Sequence, residues 1–253
     1  MTATATLQAR MGSSRLPGKV MLPILGRPMI ELQIERIRRS RLIDRIVLAT
    51  STRPLDDPLE ELGDRLGVGV FRGSEEDLLS RIAGALRAHG GELHVELFGD
   101  SPLPDPALLD EVIRFYLDHT DRLDVVTNAL TTTYPPGLEV TVYPCRVLFD
   151  AERNAHSPEE REHVSVAILR HPERYRIRNL EAPPPLRRPE IYLEVDTAED
   201  FEVISAVYEQ LYPQHPEFGL PEILAFLDSR PELAARNRHV ERRWMRYRQQ
   251  VQA

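Results

Sequence analysis

Apolar positions follow two alternating rhythms along this chain. Short β-prone runs recur at 3–8, 45–49, 68–71 and 93–98, separated by stretches with apolar residues at helical spacing. Pro28 opens a helix with Ile30, Ile34 and Ile37 on one face; Ser74, with Asp77 three residues later, caps a second ending near Gly90; Asp105 and Pro106 start a third. Strands joined by helices predict an α/β fold: a mostly parallel, Rossmann-like sheet flanked by helices, with ligands at the carboxyl ends of its strands.

After residues 124–128 the rhythm changes. Gly137 precedes a β-prone run at 138–143, too close for a helical crossover, which predicts a small antiparallel excursion. Ser157, Pro158 and Glu160 announce another helix, 175–180 and 191–195 read as strands, and Thr197 with Asp200 caps a further helix. The expected organisation is a single domain over 1–229 that includes an insertion at 130–185. A basic, helical tail follows at 230–253, whose arginines at 230, 236, 238, 242, 243, 246 and 248 face only Glu232 and Glu241. Such a run reads as a solvated or subunit-packing face.

Composition narrows the function. A chain of 253 residues with 42% apolar content can bury one substantial core. The 32 basic and 40 acidic residues leave a net charge of -8, which argues against a sequence-independent nucleic-acid binder. Any anionic ligand must therefore meet a local site. The single cysteine, Cys145, rules out an intramolecular disulfide and a thiolate-only metal cage. No apolar run approaches the roughly 20 residues needed to cross a bilayer, and residues 1–10 lack a leader pattern. A cytoplasmic protein without membrane partners is the expectation.

The segment LQARMGSSRLPGKV, residues 7–20, follows the first strand, where a phosphate-binding turn belongs in such a sheet. Gly12 and Gly18 allow close backbone approach, Ser13 and Ser14 can donate hydroxyl protons, and Arg10, Arg15 and Lys19 can neutralise a triphosphate. Neither the Walker pattern nor the G-x-G-x-x-G dinucleotide fingerprint is present. Lys19 is the only lysine in an otherwise all-arginine basic complement. A compact ammonium is a point charge that the guanidinium fork cannot always replace beside a phosphate. Two further segments place acids at expected strand ends: Asp100 in FGDSPLPDP and Asp196 in EVDTAEDFEVI. Asp100 could merely cap a turn, but two carboxylates in corresponding places suggest a shared site for a hard cation.

Together with FRGSEEDLLSR, TYPPGLEVTVYP and REHVSVAIL, these segments resemble, in order over the first 205 residues or so, the spore-coat polysaccharide biosynthesis protein F family. That family is related to the acylneuraminate and 3-deoxy-octulosonate cytidylyltransferases. The resemblance implies a nucleotide site formed by Leu7, Ala9, Arg10, Gly12, Ser13, Ser14, Arg15, Lys19, Thr50, Ser51, Gly73 and Ser74, with Lys19, Arg15 and Asp100 in the catalytic roles. It implies Mg2+ on Asp100 and Asp196. Tyr134, Glu139, Arg161, Glu162 and His163 would face the sugar, so that the 130–185 insertion serves sugar binding or dimerisation. The implied partners are CTP and a small sugar, an acidic one by the relatives' chemistry, in an enzyme of surface polysaccharide or glycoconjugate synthesis, with a second copy in a homodimer as a further expectation. This chain departs from the family at Pro136, where an acid is common, at Ser101, where cysteine is frequent, and at Ser165-Val166-Ala167, which replaces Thr-Pro-Tyr at the acceptor end. A metal-dependent glycosyltransferase and a noncatalytic nucleotide-binding partner are the alternatives, separable by pyrophosphate release from CTP.

Overall fold

The computed structural model describes residues 1–242 and 244–245. Strands β1 (Ala3–Gln8), β4 (Arg45–Ser51), β5 (Gly69–Gly73), β6 (Leu93–Phe98), β7 (Val125–Thr127), β8 (Thr141–Pro144) and β9 (Ile177–Asn179) form a seven-stranded sheet in the order β5-β4-β1-β6-β8-β7-β9. Two short strands, β2 (Pro23–Ile24) and β3 (Arg27–Pro28), make a separate antiparallel pair. The β5-β4-β1-β6 half is wholly parallel, and β8 runs antiparallel to β6 and β7.

Helices α1 (Met29–Ile37), α2 (Asp57–Leu66), α3 (Leu78–His89), α4 (Pro106–Leu117), α5 (Cys145–Asn154), α6 (Pro158–Glu162), α7 (Val164–Leu169), α8 (Ala198–Leu211), α9 (Leu220–Asp228) and α10 (Pro231–Ala234) complete the fold. Side-chain alternation along β4 shows how they divide. Ile46 and Leu48 join the core shared with α1, α2, α4, α8 and α9, whereas Val47 and Ala49 point into the core under α3, α5 and α7.

Caps account for several boundaries. Asp105 Oδ1 accepts the Ala107 and Leu108 N–H groups ahead of α4, and Ser157 with Glu160 closes a capping box on α6. The expected Ser74 cap differs. Asp77 is the N-cap of α3, accepting Ser80 N–H, while Ser74 Oγ accepts Asp77 N–H one turn earlier.

Two expected strands also change. The 138–143 run enters the sheet only at Thr141, because the Asn128 side chain takes the Leu138 carbonyl and the Val140 N–H that a ladder would use. The 191–195 run is no strand. Its backbone docks instead on loops, Leu193 N donating to Pro136 O and Val195 N to Asp100 O, both at 2.7 Å. Gly137 permits that docking: its φ is +102°, and a Cβ there would lie 2.5 Å from the Leu193 carbonyl carbon.

The strand order places the site. β1 is followed by β4 on one side and borders β6 on the other, so the loops after β1 and β6 diverge at their carboxyl ends, where Gln8 pairs with Phe98. A crevice at such a reversal is where α/β sheets bind ligands.

Candidate active site

The loop leaving β1 is held from behind. Asp56 accepts Met11 N–H through one carboxylate oxygen and the Ser51 hydroxyl through the other. Gly18, in the left-handed region at φ +69°, turns the chain into the 3-10 turn Lys19–Met21. That turn aims the Lys19 ammonium inward. Its Nζ donates to Asp100 Oδ2 and Asp196 Oδ1, each at 3.1 Å, and to the Val195 carbonyl at 2.6 Å. Arg15 adds a second cation, Nη2 lying 2.5 Å from Asp196 Oδ2. Burial pulls the Lys19 ammonium down, but the Asp100 and Asp196 charges outweigh it, so its pKa is raised and it stays charged.

Around this cluster opens a cavity of about 680 Å3. Of the residues expected to bind ligands, Ala9, Arg10, Gly12, Ser13, Ser14, Arg15, Lys19, Asp100, Glu139, Glu162, His163 and Asp196 line it. The chemistry-bearing segments around residues 10–19, 100 and 196 thus share one chamber, and a comparison decides the class. A family model described as cytidylyltransferase matches residues 4–214.

The chain belongs to the cytidylyltransferase family. It is 36% identical over 233 residues to the spore coat polysaccharide biosynthesis protein SpsF of Bacillus subtilis, covering 90% of this chain and 95% of that one. A 3-deoxy-manno-octulosonate cytidylyltransferase of Geobacter sulfurreducens is 35% identical over 113 residues, 45% of this chain and 44% of its own. The solved structure of a cytidylyltransferase from Leptospira borgpetersenii superposes with a TM-score of 0.87 at 28% identity, covering 96% of this chain and all of that one. The chain is therefore a nucleotidyltransferase, and the glycosyltransferase alternative falls away.

Other expected residues of this cytidylyltransferase lie outside the cavity. Leu7 is buried in the core face of β1, and Tyr134 is buried in the same core. Thr50 and Ser51 are buried at the end of β4, one strand away, where Ser51 supports Asp56. Gly73 and Ser74 stop short of the chamber, which Glu75 and Glu76 reach instead. Arg161 turns away to pair with Asp77 at 2.5 Å and to donate to the Glu152 carbonyl.

The wall also contains residues that sequence reasoning passed over. Arg81 projects from α3 and donates to the Ser74 carbonyl; burial, helped by the neighbouring Arg10 charge, pulls it down to about 10. Its offset of four from Asp77 on a capped helix was the available signal. Glu194 sits two residues before Asp196, and its carboxyl is pushed up to about 8 by burial and then by Glu139. Trp244 donates its indole N–H to Glu194 Oε1 at 2.7 Å.

Trp244 belongs to the tail, in which Arg230, Arg236 and Arg238 are exposed and Arg242 is not. Only Pro231–Ala234 is helical before residues 235–242 run through turns and irregular chain. Arg242 is fully buried and grips the equally buried Asp200 by two bonds, Nη2 to Oδ1 at 2.6 Å and Nη1 to Oδ2 at 3.1 Å. Asp200 in turn accepts the N–H groups of Asp196 and Thr197, so one carboxylate caps α8 and anchors the tail. Arg243, Arg246 and Arg248 fall outside the described residues.

Proposed function

We propose that this cytidylyltransferase moves CMP from CTP onto a sugar hydroxyl with release of pyrophosphate, assisted by Mg2+. The observation that carries the proposal is the Lys19 ammonium held between Asp100 and Asp196 beside the basic loop, inside one cavity. The loop's Arg10, Ser13, Ser14 and Arg15 suit a polyphosphate, and a curated relative is named for CMP transfer to 3-deoxy-manno-octulosonate.

The donor set suits magnesium. Asp100 and Asp196 offer hard carboxylate oxygens that already gather round one positive charge, the Lys19 ammonium. Two carboxylates would serve an ion that completes its shell with water and phosphate oxygens. Bound there, Mg2+ would polarise the α-phosphate and offset charge on its oxygens.

The protein's own groups orient the transfer. Arg15 and Lys19 stabilise the departing pyrophosphate once the triphosphate draws them from Asp196, and Arg10 neutralises the outer phosphates. The sugar oxygen attacks the α-phosphorus in line. A new oxygen–phosphorus bond forms, the bond to the pyrophosphate bridging oxygen breaks, and the hydroxyl proton is released.

Pyrophosphate release tests the reading directly, with CTP, ATP, GTP and UTP each crossed against sugar acids, amino sugars and sugar phosphates. CTP with at least one sugar should release pyrophosphate, and Asp100→Asn should abolish the magnesium-dependent rate. Undiminished turnover by that variant at saturating magnesium would remove the metal assignment.

A further inference from the structure

Among the described residues four cationic side chains are buried: Lys19, Arg36, Arg81 and Arg242. Three have their charge answered within the protein. Lys19 faces Asp100 and Asp196, and Arg242 faces Asp200. Arg36 lies over the Phe218 ring, 4.3 Å from its centre, and donates to two carbonyls at 3.0 Å. Arg81 differs. One of its terminal nitrogens donates to the Ser74 carbonyl and, at 3.4 Å, to that of Glu75, but its Nε has no hydrogen-bond partner and no carboxylate pairs with it among the described residues. The acids of the adjoining turn are taken elsewhere, Glu75 by Arg53 at 2.7 Å and Asp77 by Arg161 at 2.5 Å. A buried guanidinium with neutral partners alone is costly unless an anion completes it.

That guanidinium borders the cavity of the candidate active site. The described cations of the cavity wall are Arg10, Arg15, Lys19 and Arg81. Arg15 and Lys19 already face carboxylates, whereas Arg10 and Arg81 form no ion pair among the described residues. Two positive charges therefore stand ready for an anion from solution. The fold sets Arg81 beside the basic loop: a Cβ on Gly12 would lie 3.6 Å from Glu75 Oε1, so that loop touches the turn whose carbonyls Arg81 holds. Gly73 makes room for the arginine, since a Cβ there would lie 2.9 Å from Arg81 Cγ.

Resting on the proposed use of CTP, we infer that Arg81 is a further nucleotide-binding residue, whose guanidinium donates to a phosphate oxygen of the triphosphate and shares its charge with Arg10. The ligand class is a nucleoside polyphosphate, and the contact needs no sugar.

Calorimetric titration of wild type, Arg81→Gln and Arg81→Lys with CTP and with cytidine, in magnesium and without sugar, tests this. Glutamine keeps an N–H donor for the turn and removes the charge. Arg81→Gln should weaken CTP binding about tenfold or more while cytidine, which has no phosphate, stays within about twofold. Arg81→Lys, which keeps the charge, should lose less than glutamine. Unchanged CTP affinity in Arg81→Gln, or equal weakening of CTP and cytidine, overturns the assignment. Should the variants not fold, a crystal structure of the wild type with CTP decides: an Arg81 nitrogen within about 3.2 Å of a phosphate oxygen supports the inference, and a guanidinium left on the turn carbonyls alone overturns it. A wild type that binds no CTP overturns the transfer reading, and this inference with it.

Discussion

Replacing Glu96 by glutamine should stabilise the protein most above neutral pH and progressively less as the pH falls. Glu96 lies in the middle of β6, only 1% exposed, beside a buried His94 whose Nε2 meets Thr6 Oγ1 at 2.7 Å. One carboxyl oxygen accepts the Tyr143 hydroxyl at 3.1 Å, and the Ser165 backbone N–H also bonds the group; the other oxygen, Oε1, has no hydrogen-bond partner among the described residues. Burial outweighs those two bonds and pushes the carboxyl from 4.5 up to about 7. The folded state thus holds this proton more tightly than the unfolded chain. The penalty for ionising Glu96 is absent below about pH 4.5, grows as pH rises to about 7 and is constant above. A shift of that size corresponds to roughly 3 kcal/mol at pH 8 and about 1 kcal/mol at pH 5. Glutamine keeps an acceptor for Tyr143 and Ser165 and never ionises. Urea unfolding of both proteins at pH 5, 6, 7 and 8 measures the difference, and His94, common to both, cancels. A stability gap between variant and wild type that does not widen with pH would falsify the account of Glu96 as a buried neutral acid.

Other substitutions test the site and its supports. Lys19→Arg should lower turnover by about a hundredfold or more, because a guanidinium fork does not fit the ammonium's place between two carboxylates and a carbonyl; pyrophosphate release at saturating substrates checks it. Arg242→Met should cost about 3–5 kcal/mol in urea unfolding, since it leaves the buried Asp200 carboxylate without its cation. Gly137→Ala combines a left-handed φ with a 2.5 Å backbone overlap, and should destabilise by about 3 kcal/mol or more while also lowering turnover through the displaced 193–196 segment.

Local chemistry made much of this protein readable before its structure. The run that became β4 was visible because a strand buried on both faces is apolar through its middle, here Ile46–Ala49; those of β1 and β6 because apolar residues recur at every second position; and the helix starts at Pro106 and Pro158 because caps act within one turn. The isolated lysine and the acids at 100 and 196 could be named, since residue type alone limits which groups can answer a polyphosphate. Their meeting could not. Lys19 and Asp196 are 177 positions apart, and their bond depends on β1 standing next to β6 and on a backbone segment docking against Gly137. The same segment read as a strand because its alternation, Ile191, Leu193 and Val195 buried, is what a strand would show; only the loops across from it reveal that no neighbouring strand takes its hydrogen bonds. Arg242 read, with the rest of the tail, as part of a solvated or subunit-packing face, because charge along a sequence says nothing of a partner such as Asp200 lying 42 residues away. Periodicity reports which faces are buried, whereas which groups are buried together is decided by long-range packing, and that packing brought Glu194 and Trp244 to the cavity wall.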